Sequence, residues 1–76
     1  MNIIQLEARI KLDNIPLDAY SLTGGYPNEA YCICNMNGVW EVYYSERGNK
    51  TKLKIFSSEE AACEYFYHWI ISVFKK

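Results

Sequence analysis

The stretch EAYCICNMNGVWEVYYSE, residues 29–46, decides the fold of this 76-residue chain. Asn37 and Gly38 lie at its centre, and this dipeptide favours a two-residue β-hairpin turn because both residues tolerate a left-handed backbone. Aromatic and β-branched residues, which favour strands, lie on either side. We therefore expect antiparallel strands at residues 29–36 and 39–46. The turn would set three cross-strand pairs: Met36–Val39, Ile33–Val42 and Tyr31–Tyr44.

A third strand is expected at residues 51–56. If Gly48 and Asn49 form the second loop, Tyr44 pairs with Leu53 and Val42 pairs with Ile55. The two hairpins then agree, because both place their apolar side chains on one face of the sheet. The apolar face would carry Tyr31, Ile33, Trp40, Val42, Tyr44, Leu53 and Ile55. The polar face would carry Cys32, Cys34, Glu41, Tyr43, Ser45, Lys52 and Lys54.

Residues 58–74 predict a helix, with Ser57 and Glu60 as a capping box at its start. Its apolar residues recur at helical spacing, so one stripe should lie on the apolar face of the sheet. A second strip lies beside the first and is either covered by another helix or exposed. The first stripe is Ala62, Cys63, Phe66, Trp69, Ile70 and Val73. The second strip is Glu64, Tyr67, Ile71 and Phe74.

Residues 2–13 show both strand-like alternation and helical spacing. We favour a helix because Asn2 can cap its start and Asn14 can adopt the left-handed conformation at its end. Residues 14–28 form a connecting loop. The predicted architecture is α+β, in the order α-β-β-β-α, with a three-stranded antiparallel meander and both helices packed on one face. We expect a single domain at residues 1–76.

Composition excludes several classes of protein. Half of the residues are hydrophobic, which argues against disorder, and a net charge of −1 argues against a polycationic nucleic-acid binder. No apolar run is long enough for a membrane helix, and the first residues do not resemble a signal peptide. Three cysteines, an odd number, are typical of free thiols in a reducing compartment. We expect a cytoplasmic protein.

Candidate chemical groups do not form a catalytic or metal-binding pattern. Cys32 and Cys34 are spaced too tightly for a usual zinc pair, and Cys63 and His68 diverge around their helix. His68 and Ser72 could share a helix face, but such a surface offers no spare backbone N–H groups to stabilise an oxyanion. The sequence therefore predicts no catalytic residue, no metal ligand and no cofactor.

Charge is distributed unevenly along the chain. Five acidic residues and no basic residue occur from position 12 to 46, and four basic residues without an acid follow at positions 47–54. The polar sheet face would then have an acidic half and a basic half around an exposed Tyr43, which suits recognition of a protein partner. The predicted partner-binding residues are Glu29, Glu41, Tyr43, Glu46, Arg47, Lys52 and Lys54.

Other interpretations of these charges stay open. The lysines of the third strand could protect a sheet edge against aggregation, and Arg47 could stabilise the second turn. The basic strand could also bind nucleic acid, and the element order resembles the double-stranded RNA-binding domain. In that fold the second helix begins with lysines, whereas Glu59 and Glu60 stand here. A homodimer could form through an exposed strand or through the second helical strip.

Two segments resemble small bacterial immunity proteins of contact-dependent inhibition and polymorphic toxin systems. They are WEVYYSERG at residues 40–48 and FSSEEAACEYF at residues 56–66. Ala19-Tyr20-Ser21-Leu22 and the glycines that follow fit the same resemblance, which spans residues 19–66. It implies a cytoplasmic protein that binds a cognate toxin domain, of nuclease type, and occludes its active site without catalysis.

Overall fold

Two helices and a four-stranded mixed sheet make up the computed structural model, which describes residues 1–75. The α+β class is confirmed. Along the chain the elements are α1 (Ile3–Leu12), a 3₁₀ turn (Leu17–Ala19), β1 (Tyr20–Ser21), β2 (Ala30–Met36), β3 (Val39–Glu46), β4 (Asn49–Phe56) and α2 (Glu59–Phe74).

The sheet has the strand order β1-β2-β3-β4. Strand β1 runs parallel to β2, with Tyr20 opposite Tyr31 and Ser21 opposite Cys32, whereas the other neighbours are antiparallel. The three predicted strands do pair antiparallel in chain order, but the prediction of a three-stranded, wholly antiparallel sheet is wrong, because β1 adds a fourth strand that runs parallel to β2. A two-residue strand inside the connecting segment is too short to produce a periodic pattern.

The first hairpin matches its predicted register. Strands β2 and β3 pair without interruption from Met36–Val39 to Ala30–Ser45. Asn37 and Gly38 both have positive φ angles, 56° and 90°, as a tight two-residue turn of this hand requires. The side chain of Asn35 accepts a hydrogen bond of 2.8 Å from the backbone N–H of Gly38.

The second hairpin differs from its prediction in two ways. Its loop is Arg47 and Gly48, with φ angles of 51° and 75°, and not Gly48 and Asn49. A β-bulge then interrupts the ladder, because Tyr44 pairs with Thr51 but Val42 pairs with Lys54. The predicted pairs Tyr44–Leu53 and Val42–Ile55 are therefore wrong.

The bulge centres on Lys52, whose φ of 56° lies in the left-handed region. Lys52 and Leu53 together occupy the position opposite Tyr43. Beyond this point the alternation of β4 is inverted. Ile55 lies opposite Glu41 on the outer face, the face away from the helices, and Phe56 lies opposite Trp40 on the inner face. Leu53 and Ile55 therefore leave the face on which the sequence placed them.

Helix α1 is confirmed, and its two ends follow the predicted capping. The Asn2 side chain accepts a hydrogen bond from the Gln5 backbone, and the Gln5 side chain accepts one from Asn2 in return. Asn14 has a φ of 58°, and the N–H of Ile15 bonds back to the carbonyl of Ile10 at 3.2 Å. This arrangement satisfies the last carbonyls of the helix.

Helix α2 begins one residue later than its predicted cap. The hydroxyl of Ser58, not of Ser57, accepts a hydrogen bond of 3.0 Å from the N–H of Ala61. The strip that contains Tyr67 is partly covered by α1, because the Tyr67 hydroxyl donates to Asp13 at 2.7 Å and accepts from Arg9 at 3.0 Å. Tyr67 and Ile71 pack against the core, while Phe74 stays more exposed.

The main core lies between the inner face of the sheet and the two helices. It draws on every layer of the fold, and all of its members are buried. Met1, Ile3, Tyr31, Trp40, Phe56 and Trp69 are among the partly buried side chains that pack around it. The buried members are Leu6, Ile10, Ile15, Ile33, Val42, Ala62, Cys63, Phe66 and Ile70.

Candidate functional site

The outer face of the sheet has two halves that differ in their cover. The first, here called the covered half, contains Cys32, Cys34 and Tyr43, which form a second buried cluster on this side of the sheet. The part of the connecting loop around Gly24 and Gly25 lies over it. The second half is open, and we call it the exposed patch: Met36, Val39, Leu53 and Ile55.

Gly24 brings the loop into close contact with the sheet. A Cβ atom at this position would lie 2.8 Å from the Cβ and 2.9 Å from the Sγ of Cys34, which is closer than carbon and sulfur atoms approach. The φ of +80° also suits glycine. Only a residue without a side chain allows the backbone to lie this close to the thiol.

Tyr43 fixes the loop from below. Its hydroxyl donates a hydrogen bond of 2.7 Å to the carbonyl of Gly25, and its side chain is fully buried. The prediction of an exposed Tyr43 at the centre of a binding surface is therefore wrong. The physical reason is the loop, which the sequence predicted only as a connecting segment and which packs on Tyr43.

Glu41 and Lys50 form an ion pair at the border of the covered half. Their side chains meet at 2.7 Å and are mostly buried. The Lys50 ammonium also lies 4.8 Å from the centre of the Tyr43 ring and 5.6 Å from that of Tyr26, so two aromatic faces stabilise its charge. The hydrogen bond that the Lys50 ammonium donates to Glu41 raises the pKa of Lys50. Glu41 is thus already paired within the chain.

The thiols of the covered half are poor nucleophiles. Burial, opposed in part by a hydrogen bond with Tyr43, raises the pKa of Cys32 to about 11. Burial, followed by the nearby Glu41 carboxylate, also raises the pKa of Cys34. Burial raises the pKa of the Tyr43 phenol as well. At neutral pH these groups are uncharged, and the thiolate that would react is absent.

The exposed patch carries four large apolar side chains on one surface. Met36 and Val39 form the last cross-strand pair before the first turn, and Leu53 and Ile55 follow on β4. Alternation along the strands places all four on the outer face. Their exposed fractions are 48%, 42%, 42% and 59%, respectively.

The bulge at Lys52 creates half of this patch. If β4 continued in the register of its first residues, Leu53 would lie opposite Val42 and Ile55 opposite Trp40, on the inner face. Full burial of such a side chain contributes about 1.5–3 kcal/mol. The bulge instead turns Phe56 inward, where its ring lies 5.3 Å from that of Tyr65. One aromatic contact is thereby gained while two aliphatic side chains face solvent.

The predicted acidic residues are not brought together on one surface. Glu29, with a φ of 54°, precedes β2, and Glu46 ends β3, so both lie at the same end of these strands. Burial raises the pKa of Tyr44, and the Glu29 carboxylate is the next cause. Glu41 lies on the outer face of the sheet, opposite to the face that carries Glu46, and is paired with Lys50.

The predicted basic residues are also dispersed. Arg47 is exposed in the second turn, and Lys52 is exposed at the bulge. Lys54 lies opposite Val42, on the inner side of β4 and not on the outer face as predicted. Lys50 is neutralised by Glu41. No single face therefore presents all four cations in the manner that phosphate binding along β4 would require.

Groups that could support catalysis or metal binding are separated. His68 is exposed and lies 3.6 Å from the Glu64 carboxylate, while the Ser72 hydroxyl donates to the carbonyl of Trp69. Cys63 is buried in the main core, on the other side of the sheet from Cys32. Within residues 1–75, no group of three or more His, Cys, Asp or Glu side chains is placed to hold a metal ion.

The exposed patch is the feature that sequence reasoning missed. A signal for half of it was present, because Met36 and Val39 flank Asn37-Gly38 and take the outer face in the predicted register. No signal marked the other half, since lysine at position 52 does not suggest a left-handed residue. Only two members of the exposed patch, Met36 and Val39, could therefore be predicted from the sequence.

None of the helices formed by residues 1–75 has both the length and the apolar character needed to span a membrane. Comparison of the chain with protein-family models, curated proteins and solved structures found no match.

Proposed function

We propose that this chain is a non-enzymatic protein-binding module, an immunity protein that binds a cognate bacterial toxin domain of nuclease type in the cytoplasm and occludes its active site. The exposed patch is the observation that supports binding to a protein. The resemblance of residues 40–48 and 56–66 to immunity proteins supports the choice of partner.

The patch supports this function because its exposure is costly to the isolated chain. Contiguous apolar surface on a small domain often marks a site of protein association. The four side chains project from paired strands or the ends of a tight hairpin, which limits the conformational entropy lost on binding. A partner protein docked on this surface would place Leu53 and Ile55 in an apolar environment.

Charged side chains border the patch, as is usual at the rim of a protein interface. Lys52 precedes Leu53, and the Glu41–Lys50 pair lies on the same face. The proposed interface thus keeps the outer face of the sheet that the sequence suggested, but its centre is the exposed patch and not Tyr43. Glu29, Glu46 and Arg47 lie at the far end of β3, where a large partner would reach them.

Growth rescue tests the proposal. A neighbouring gene that encodes a large secreted protein would supply the candidate toxin, as the C-terminal domain of that protein. We expect co-expression of the chain to restore growth of cells that produce this domain. A complex of the two purified proteins should elute as one species in gel filtration.

Variants in the patch link the rescue to the surface. Leu53→Lys and Ile55→Lys should abolish rescue while the chain remains folded, because both side chains are already exposed. Ile4→Lys is the matched control, since Ile4 is 76% exposed on α1 and lies away from the sheet. Rescue that survives both patch changes would remove the patch from the interface, and failure of the unchanged chain to rescue would contradict the immunity function.

A further inference from the structure

Strand β4 forms one edge of the sheet. It follows β3 in the strand order, and no other strand among residues 1–75 pairs with its second side. At eight residues it is much longer than β1, the two-residue strand at the opposite edge. The backbone groups along this free side can therefore pair with a further strand.

The side chains of residues 53–56 alternate in character at this edge. Leu53 and Ile55 point to the outer face, within the exposed patch, whereas Lys54 and Phe56 belong to the inner face. Lys52 and Lys54 are exposed, and within the described residues neither forms an ion pair. An incoming strand would meet Leu53 and Ile55 on the outer face and the free ammonium group of Lys54, next to Phe56, on the inner face.

Two registers of self-pairing at this edge bring lysine side chains together. Antiparallel self-pairing about Lys54 would place the two Lys54 side chains directly opposite each other. Self-pairing about Leu53 would place Lys52 opposite Lys54 of the copy. Like charges at facing positions destabilise a strand pair, so these two registers disfavour a second copy, whereas an acidic segment would meet opposite charge at Lys54.

We propose that a partner protein adds an extended segment to the free side of β4, as a fifth strand whose residues alternate between apolar and acidic. This inference rests on the proposed function and describes how the toxin domain would be held. The apolar side chains of the segment would continue the exposed patch beside Leu53 and Ile55. Its carboxylates would lie opposite Lys54, where a cross-strand ion pair forms.

The same lysines and the bulge could instead serve only to protect the edge. The two roles differ in what they require of the charge at position 54. Protection works with a cation or an anion, because either sign repels its own copy. Strand addition by an acidic segment requires a cation.

Short synthetic peptides test strand addition directly, one alternating valine with glutamate and the other alternating valine with lysine. Binding to the full chain is followed by shifts of backbone amide signals in NMR spectra. We expect the glutamate peptide to shift the amides of residues 53–56 and to slow their hydrogen exchange. Lys54→Glu should lower affinity for the glutamate peptide about fivefold and raise affinity for the lysine peptide. Lys11→Glu, on α1, is the matched control and should leave the preference unchanged.

Absence of shifts at residues 53–56, or equal shifts with both peptides in the unchanged chain, would overturn strand addition. The result is separable from the proposed function. Growth rescue that depends on Leu53 without any peptide effect would leave the immunity proposal intact and reject the fifth strand. Peptide binding with the expected charge preference, in a chain that rescues no toxin, would support the edge and reject the immunity role.

Discussion

The covered half and the exposed patch of the outer face contain similar side chains in different surroundings. Both are rich in groups that prefer burial, yet the loop around Gly24 and Gly25 covers the cluster of Cys32, Cys34 and Tyr43 and leaves Leu53 and Ile55 open. The loop can lie over the first half because Gly24 permits contact with Cys34. Burial on this face therefore depends on the connecting segment and not on the strands themselves.

The largest expected effect comes from adding a side chain at Gly24, where the loop lies against the sheet. In Gly24→Ala, the added methyl group would collide with the buried Cys34 side chain, and the left-handed backbone adds strain. We expect the free energy of unfolding to fall by about 2–4 kcal/mol. Urea denaturation followed by circular dichroism measures it.

Gly25→Ala is the matched control for this change. Gly25 has a similar φ of +84°, but no atom lies within 4 Å of the added Cβ. Gly25→Ala should therefore lower the free energy of unfolding only through backbone strain, by about 1 kcal/mol. Equal losses at the two glycines would show that close contact does not hold the loop on the covered half.

Alkaline pH should reveal how completely the loop excludes water. The pKa of Cys32 is raised from 9.0 to about 11, so the folded state keeps its proton after the unfolded state has lost it. The stabilisation is complete below pH 9 and is lost as the pH rises toward 11. We expect a loss of about 2–3 kcal/mol from this thiol across that interval. Thermal unfolding at pH 7, 9 and 10.5 in the presence of a reductant measures the loss.

Cys63 provides the comparison with the main core, because burial raises its pKa to about 11 as well. Cys32→Ala and Cys63→Ala should each make stability less dependent on pH, and by similar amounts. A pH dependence that Cys32→Ala leaves unchanged would mean that water reaches the covered half. The loop would then not bury its face of the sheet as the helices bury the other face.

A smaller effect is expected when the hydrogen bond under the loop is removed. Tyr43→Phe leaves the ring in place but deletes the 2.7 Å bond to the Gly25 carbonyl. We expect a loss of about 1–1.5 kcal/mol and faster hydrogen exchange in the loop. Tyr26→Phe is the control, because Tyr26 is exposed and should lose almost nothing. Similar losses in both variants would argue against a stabilising role for the hydrogen bond between Tyr43 and Gly25.

The smallest effect concerns the bulge, which creates half of the exposed patch. Lys52→Gly should raise the free energy of unfolding by about 1 kcal/mol, since glycine adopts the left-handed conformation without strain. Lys54→Gly, two residues on in the regular part of β4, should lower it by about 0.5–1 kcal/mol. Calorimetry measures the change in stability of each variant. A Lys52→Gly variant that is less stable than the unchanged chain would show that the left-handed backbone at Lys52 is not strained.

The first hairpin shows how far local chemistry determines structure. Asn37-Gly38 supports a single tight turn, and the register of β2 and β3 follows from it along the whole ladder. The ends of α1 are determined equally locally, because the Asn2 and Asn14 side chains and backbones act within one turn of the helix. These features were predicted correctly because their energetic causes lie within a few residues.

The candidate site could not be predicted in the same way. The face on which Leu53 and Ile55 lie depends on a single extra residue at the bulge, and the same bulge turns Phe56 toward Tyr65 on the inner face. Burial of Tyr43 depends on a loop 18 residues away in sequence. Both outcomes arise from contacts between elements, and alternation within a strand carries no information about them.

The amino-acid sequence alone determined the α+β class, both helices, the first hairpin and its register, because propensities, caps and a two-residue turn act over short distances. The tertiary structure alone decided the parallel β1, the bulge, the burial of Tyr43 and the exposure of the patch. Each of these results from competition among distant side chains for a limited interior, and that competition is resolved only when the helices and the loop pack on the sheet.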